Sequence, residues 1–202
     1  MAGLFFSYYN IEMQTVDLNV LNLFPTIVGC GSNLALANKV LPYAKEVLAD
    51  LNNHSGIWGY VNTFKKPFIK TDVFNELESF IRDVSSTYLT YLKLDNKIND
   101  INMFFSVMNQ NDFHGRHTHP GSKVSGVFYL NADEMSSCIR FHDSRAHAEI
   151  ISYGNKSSSL MDTSFDIAPT PGMFLIFPSW VPHSVVQSNL NSNRITAVFN
   201  VA

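Results

Sequence analysis

The spacing of hydrophobic positions changes about halfway along the chain. From Leu34 to Leu51, apolar residues fall at Leu36, Val40, Leu41, Ala44, Val47, Leu48 and Leu51. Steps of three and four place them on one helical face. Pro42 marks a start or a kink of that helix, because proline lacks the N–H the ladder uses. Asp72 to Leu94 repeats the pattern more strongly, with Val73, Leu77, Phe80, Ile81, Val84, Tyr88 and Leu92 in one stripe. Thr71 or Asp72 supplies an N-cap, and Glu76 puts negative charge near the positive end of the helix dipole. This second helix reads as a packing element. Leu18 to Val28 is apolar but cut by Pro25, so it reads as an extended edge segment; proline cannot donate to a sheet ladder. Residues 1–17 carry no clear period.

After residue 100 the texture becomes short, Phe- and Val-rich segments separated by Gly, Pro, Asn and Ser. The strands this predicts are Asn102–Asn109, Ser122–Asn131, Ser137–His142, Thr163–Ile167, Gly172–Phe177, His183–Ser188 and Arg194–Val201. Many short strands without intervening helices indicate a sandwich, barrel or jelly roll. Asp143 to Asp162 is polar and contains Gly154-Asn155-Lys156-Ser157-Ser158-Ser159, which predicts a long loop of the kind that covers binding sites. No linker separates the halves. The expectation is one domain over 1–202, with an N-terminal segment and helical layer (1–100) on a β core (101–202).

Composition narrows the class. The chain has 202 residues, 46% hydrophobic and 15% charged, with 16 Phe. Such a chain buries a sizeable core and is not disordered. A net charge of −3 disfavours a broad grip on nucleic acid. Cys30 and Cys138 make neither a disulfide framework nor a thiolate metal site. No apolar run approaches the roughly 18–20 residues that span a bilayer, and the first residues lack the basic start of a signal peptide. A cytoplasmic protein with no membrane or nucleic-acid partner is expected.

Histidine is the anomaly. There are 7, three of them between His114 and His119. In extended backbone His117 and His119 point to one face, so both reach one metal ion. His183 follows the turn Phe177-Pro178-Ser179-Trp180-Val181-Pro182 and offers a third ligand. Three protein ligands leave positions open for substrate or water. The last strand alternates, with Arg194 and Thr196 on one face and Ile195, Ala197, Phe199 and Val201 on the other. An arginine inside a barrel needs an anion, and a carboxylate matches its fork.

These stretches together resemble the iron(II)/2-oxoglutarate-dependent oxygenases, and more narrowly a bacterial and phage group of them. The resemblance rests on His117-Thr118-His119-Pro120-Gly121-Ser122, Ser125-Gly126-Val127-Phe128-Tyr129-Leu130, Pro171-Gly172-Met173-Phe174-Leu175-Ile176-Phe177-Pro178 through His183, and Arg194-Ile195 through Phe199-Asn200. Leu23-Phe24-Pro25-Thr26 also fits. It implies a double-stranded β-helix (jelly-roll, cupin-like) core behind N-terminal helices, and a dioxygenase, here a hydroxylase. Its cofactor would be Fe(II), its co-substrate 2-oxoglutarate, and its substrate a small molecule or a protein side chain. His117, His119 and His183 would hold the metal. Arg194 would bind the distal carboxylate of 2-oxoglutarate, with Thr196 beside it.

His119 departs from the wider superfamily, which has an aspartate there. Asp112 or Asp143 is a candidate carboxylate to complete the set, His114 is an alternative ligand, and zinc an alternative metal. Tyr129 or Phe128 would face the co-substrate; the phase with Ser125 and Val127 favours Tyr129. Asn102 and Met108 are candidate lining residues, and Trp180 is expected to pack beside the site. His142 and His147 read as non-ligands. Two rival readings stand beside the oxygenase: a cupin-like metal enzyme that does not use 2-oxoglutarate, and a non-catalytic β-barrel binding protein.

Overall fold

The structure, a computed structural model, describes residues 24–49, 61–64, 70–133, 136–145, 163–187 and 193–202. The elements run β1 (Gly29–Ser32), α1 (Leu34–Ala49), β2 (Val61–Asn62), α2 (Asp72–Tyr91), β3 (Ile101–Met108), β4 (His114–His117), β5 (Val124–Asn131), β6 (Ile139–His142), β7 (Ser164–Ile167), β8 (Met173–Pro178), β9 (His183–Val185) and β10 (Arg194–Val201). The strands form two antiparallel sheets. The larger has the order β1-β8-β5-β10-β3-β2, the smaller β4-β9-β6-β7. Sequence neighbours are rarely sheet neighbours, as in a jelly roll.

Strand alternation splits the core in two. On β5 and β10 the side chains of Val124, Phe128, Leu130, Ile195, Ala197, Phe199 and Val201 pack with the apolar faces of α1 and α2. The opposite face of the large sheet presents Val127, Tyr129, Leu175 and Phe177, which meet Ile139 and Phe141 of β6. The large sheet is therefore apolar on both faces, and β5 is buried along nearly its whole length. The cavity lies between the two sheets.

Both predicted helices form. Thr71 Oγ1 caps α2 by accepting the Phe74 N–H at 3.2 Å. The buried face of α2 is Phe74, Leu77, Ile81, Ser85, Tyr88 and Leu89, while Val73, Phe80, Val84 and Leu92 only flank it. The stripe is thus rotated from the predicted one, because the sheet contacts the helix over a band wider than a single 3.6-residue line. Helix α1 runs on through Pro42. Pro42 and Asn38, whose carbonyl loses its intrahelical partner, both lie on the exposed side, where water serves that carbonyl.

The predicted edge segment Leu18–Val28 is displaced. Residues 18–23 lie outside the described residues, and 24–28 form no strand. The edge strand begins at Gly29, against β8. A Cβ on Gly29 would stand 2.7 Å from Ile176 Cγ2, so close approach of backbone to core selects glycine where hydrophobicity pointed to the residues before it. Strands β2 and β4 were not predicted; two residues are too few for alternation to register in β2, and a register irregularity interrupts it in β4. Residues 146–162 of the predicted loop are outside the described set. No helix among the described residues is long and apolar enough to cross a membrane.

Candidate metal centre and co-substrate pocket

Strand β4 pairs with β9, His117 opposite His183 and His114 opposite Val185, with a register irregularity between the two pairs. Residues three apart on a regular strand face opposite sides. The irregularity turns both His114 and His117 inward. His119 lies just beyond the strand and is held by its backbone N–H, which donates to the Ser179 carbonyl at 2.9 Å. That bond ties it to the turn before His183.

One ring nitrogen from each of His117, His119 and His183 lies within 4.8 Å of the others. His117 Nδ1 is 2.8 Å from the Gly115 carbonyl and His183 Nδ1 is 2.9 Å from the Val181 carbonyl. Each Nδ1–H donates to its carbonyl, which leaves Nε2 bare and fixes the ring plane. His119 Nε2 is 3.2 Å from His183 Nε2. Two imidazoles bound to one metal ion at about 2.0–2.1 Å stand roughly 3.0–3.4 Å apart, so the spacing suits a shared ion.

All three rings are kept neutral. His183 is pushed down to about 3, first by burial and then by His117. His119 is pushed down to about 4 by burial and His117. Burial also lowers His117, against a smaller opposing pull from the Gly115 carbonyl. At neutral pH none must lose a proton to bind a metal.

The cavity enclosing this group measures about 460 Å³ with its open mouth. Its polar lining is His114, His117, His119, His183, Ser106 and Arg194; Phe104, Val127, Ile139, Phe177, Val185 and Val198 are among its apolar walls. Arg194 is only 3% exposed. Its Nη1 rests 3.2 Å from Met108 Sδ, and its guanidinium carbon is 4.9 Å from the centre of the Tyr129 ring. Arg194 Nε and Tyr129 Oη are buried without hydrogen-bond partners. Burial raises the Tyr129 phenol, with Arg194 opposing, so it remains a donor. A buried cation and a buried hydroxyl, both short of partners, fit an anionic ligand.

Of the expected site residues, the structure brings His117, His119 and His183 together and places Arg194, Tyr129 and Met108 on the same inner face. Phe128 turns the other way, into the core under the helices. Thr196 is fully buried two residues from Arg194, bonded to Ser106 Oγ at 2.8 Å. Four expectations fail. Asp112 Oδ2 accepts the Asn109 N–H in its own turn, and Asp143 forms a forked pair with Arg145. Neither lines the cavity, and among the described residues no carboxylate does. Asn102 is exposed at the far end of β3. Trp180 is 57% exposed in the β8–β9 turn and does not line the cavity. His114 lies outside the three-nitrogen group. His142 sits on the outer face, 2.9 Å from Ser184 Oγ; His147 is outside the described residues. Sequence reasoning missed Ser106, whose in-phase spacing with Met108 on β3 was the available signal.

A two-sheet jelly roll with clustered imidazoles at one point of its cavity and a buried arginine on the inner face defines a class, the cupin-like folds with a candidate metal site. The particular family follows from comparison. Residues 102–200 match the family described as "Putative 2OG-Fe(II) oxygenase". The protein carries a 2-oxoglutarate- and iron(II)-dependent oxygenase domain of this family, so its cofactor is Fe(II) and its co-substrate 2-oxoglutarate. A prolyl-4-hydroxylase from Pseudomonas putida has the same fold at TM-score 0.64 and 16% identity, covering 87% of this chain and 92% of that one. A prolyl hydroxylase from Trichoplax adhaerens, solved with a peptide of hypoxia inducible factor, aligns at TM-score 0.59 and 15% identity over 86% of this chain and 82% of its own. The epimerase SnoN, solved with Fe3+ and α-ketoglutarate, aligns at TM-score 0.59 and 10% identity over 87% and 78%. These likenesses make the core a double-stranded β-helix. No curated protein matches the sequence significantly.

Proposed function

We propose that His117, His119 and His183 hold the iron and that Arg194 and the Tyr129 hydroxyl hold the distal carboxylate of 2-oxoglutarate. The observation that carries this reading is Arg194 itself. It is a buried guanidinium with no carboxylate on it among the described residues, in the same cavity as three neutral imidazoles. A metal enzyme that made no use of 2-oxoglutarate would have no need of that cation. Thr196 supports the anchor from behind through its bond to Ser106.

When bound, iron(II) and 2-oxoglutarate supply oxidative decarboxylation of the co-substrate and the oxidising power to insert oxygen into a C–H bond. The chain's own contribution is placement. The carbonyls of Gly115 and Val181 orient two of the metal-binding rings. Arg194 and Tyr129 neutralise and orient the far end of the co-substrate. Phe177, Val127 and Ile139 keep water from the wall between them. Neither an acid–base residue nor a protein nucleophile is required. The reaction we propose is hydroxylation of a small molecule or a protein side chain, by a single oxygenase-like domain in which the helices brace the large sheet. Purified protein given iron(II), 2-oxoglutarate and dioxygen should release succinate, with turnover raised by a panel of peptides and small metabolites containing the substrate. Succinate at the no-enzyme background under all these conditions would defeat the reading.

A further inference from the structure

The polar inner face of the large sheet extends past the cavity to its last strand. Asn62 of β2 stands directly opposite Ser106 of β3, and cross-strand partners point to the same face. Ser106 lines the cavity and bonds Thr196, which stands opposite Tyr129. Asn62, Ser106, Thr196 and Tyr129 therefore form one polar row across four strands, with Asn62 at its outer end. Asn62 is only 8% exposed. Its Oδ1 accepts the Phe64 N–H at 3.1 Å. That bond settles the orientation of the carboxamide, with the oxygen toward its own turn and Nδ2 away from it. Among the described residues Nδ2 has no hydrogen-bond partner. A buried group with two N–H donors is thus held beside the cavity with nothing to donate to, which is costly unless a ligand supplies an acceptor.

Phe64 adds an apolar neighbour. It lies two residues beyond Asn62, and its ring meets that of Phe104 edge-on, centroids 5.3 Å apart and planes 88° apart. Phe104 is a buried wall of the cavity, whereas Phe64 is 42% exposed. The two rings make a step of aromatic surface from solvent to the cavity, and the Asn62 amide stands beside it. Strand β2 is the last of its sheet, so a molecule crossing this rim meets an apolar ring and a neutral donor together. A neutral donor suits a carbonyl; a carboxylate would be drawn to the guanidinium of Arg194 on the same face.

We infer that Asn62 is a substrate-recognition residue. Its Nδ2 donates to a neutral amide carbonyl of the substrate, while Phe64 and Phe104 take the apolar group next to that carbonyl. The ligand class is an amide, carried by a peptide segment or by a small molecule. This rests on the reading that the cavity takes the metal and 2-oxoglutarate. It places selection of the substrate on β2, apart from the residues that hold the metal and the co-substrate.

The test needs binding alone. Nitrogen-15-labelled protein is loaded with 2-oxoglutarate and Zn(II), which has no redox chemistry, and titrated with N-acetyl-leucine methylamide while side-chain amide signals are followed by NMR. The Asn62 pair is identified by its loss in Asn62→Ser, whose hydroxyl still accepts the Phe64 N–H and cannot donate as Nδ2 does. The Asn62 signals should move saturably with the probe, and Asn62→Ser should weaken the probe about three- to tenfold with 2-oxoglutarate affinity within about twofold of wild type. Asn62→Asp keeps the acceptor for Phe64 and turns the donor into an acceptor. It should weaken the probe at least as much, and is the second variant if the serine form does not fold. A capped pentapeptide with leucine at its centre that binds more tightly than the single capped residue identifies a peptide substrate; equal affinity identifies a small amide. Wild-type probe affinity in both variants, Asn62 signals that do not move, or a parallel loss of 2-oxoglutarate would overturn the inference. So would absence of probe binding to wild type that holds 2-oxoglutarate, with the cavity reading left standing. If Zn(II)-loaded wild type does not bind 2-oxoglutarate, the cavity reading fails first, and this inference with it.

Discussion

At the scale of single residues, the site is defined by where charge is missing. In the proposed site, three neutral imidazoles would bring no negative charge to the metal, and Arg194 adds a positive one. The dianionic co-substrate is therefore the main compensating charge, and its tail should depend heavily on Arg194. A charge-assisted hydrogen bond contributes roughly 1.5–3 kcal/mol. Arg194→Ala should weaken 2-oxoglutarate binding by about 10- to 100-fold while changing metal affinity little; equal loss of both would mean the two groups do not serve separate ligands. The pKa shifts make a second prediction. His114, His119 and His183 titrate near 3–4 in the folded, metal-free protein but near 6.5 when unfolded. Between those values the unfolded chain binds more protons, so stability is full above pH 6.5 and falls as pH drops toward 4. Thermal melts of chelator-treated protein should show the midpoint declining over that window. A midpoint flat from pH 7 to 4.5 would contradict the burial of these rings. At this scale the clustering of His117, His119 and His183 was legible because histidine is uncommon enough for clustering to signal. Asp112 and Asp143 misled because a carboxylate's partner is set by turn geometry and local pairing, which spacing alone does not reveal.

Elements turn these residues into a site. The irregularity in β4 aims two histidines inward, the Ser179 carbonyl draws His119 toward His183, and β10 delivers Arg194 from the opposite sheet. The alternation of β10 and β5 was readable from the sequence, and with it the choice of Tyr129 over Phe128. The four-residue β4 was not, because its irregularity breaks the two-residue period that identifies strands. Packing on the far side of the large sheet holds β5 and β10 in register. Gly126 matters here: a Cβ on it would stand 2.2 Å from Phe199 Cζ and 2.5 Å from the Leu175 carbonyl. The backbone contact cannot yield to a rotamer change. Gly126→Ala should lower stability by about 1–3 kcal/mol, read as an earlier midpoint in chemical denaturation; an unchanged midpoint would mean β5 and β10 are loosely joined. Thr71→Ala, which removes the α2 cap, should cost about 1 kcal/mol and leave metal binding intact.

For the whole molecule, the helices and the sheets have different jobs. Periodicity revealed α1, α2 and the β-rich second half because long, repetitive patterns survive small local exceptions. It did not reveal how the sheets interleave, since strand order in a jelly roll is settled by which faces bury each other rather than by any one segment. Leu77, Phe105 and Phe199 join the helices to the large sheet in one cluster. Leu77→Ala should destabilise by about 2–5 kcal/mol without altering the ratio of metal to co-substrate affinity, because its side chain lies on the face of the large sheet away from the cavity. The central claim is that one cavity takes iron and 2-oxoglutarate together. The most direct measurement is an anaerobic titration of the iron(II)-loaded protein with 2-oxoglutarate, followed by visible absorption. The account predicts a new band that needs both components and saturates at one 2-oxoglutarate per chain. Absence of any such band at saturating iron and 2-oxoglutarate would contradict it.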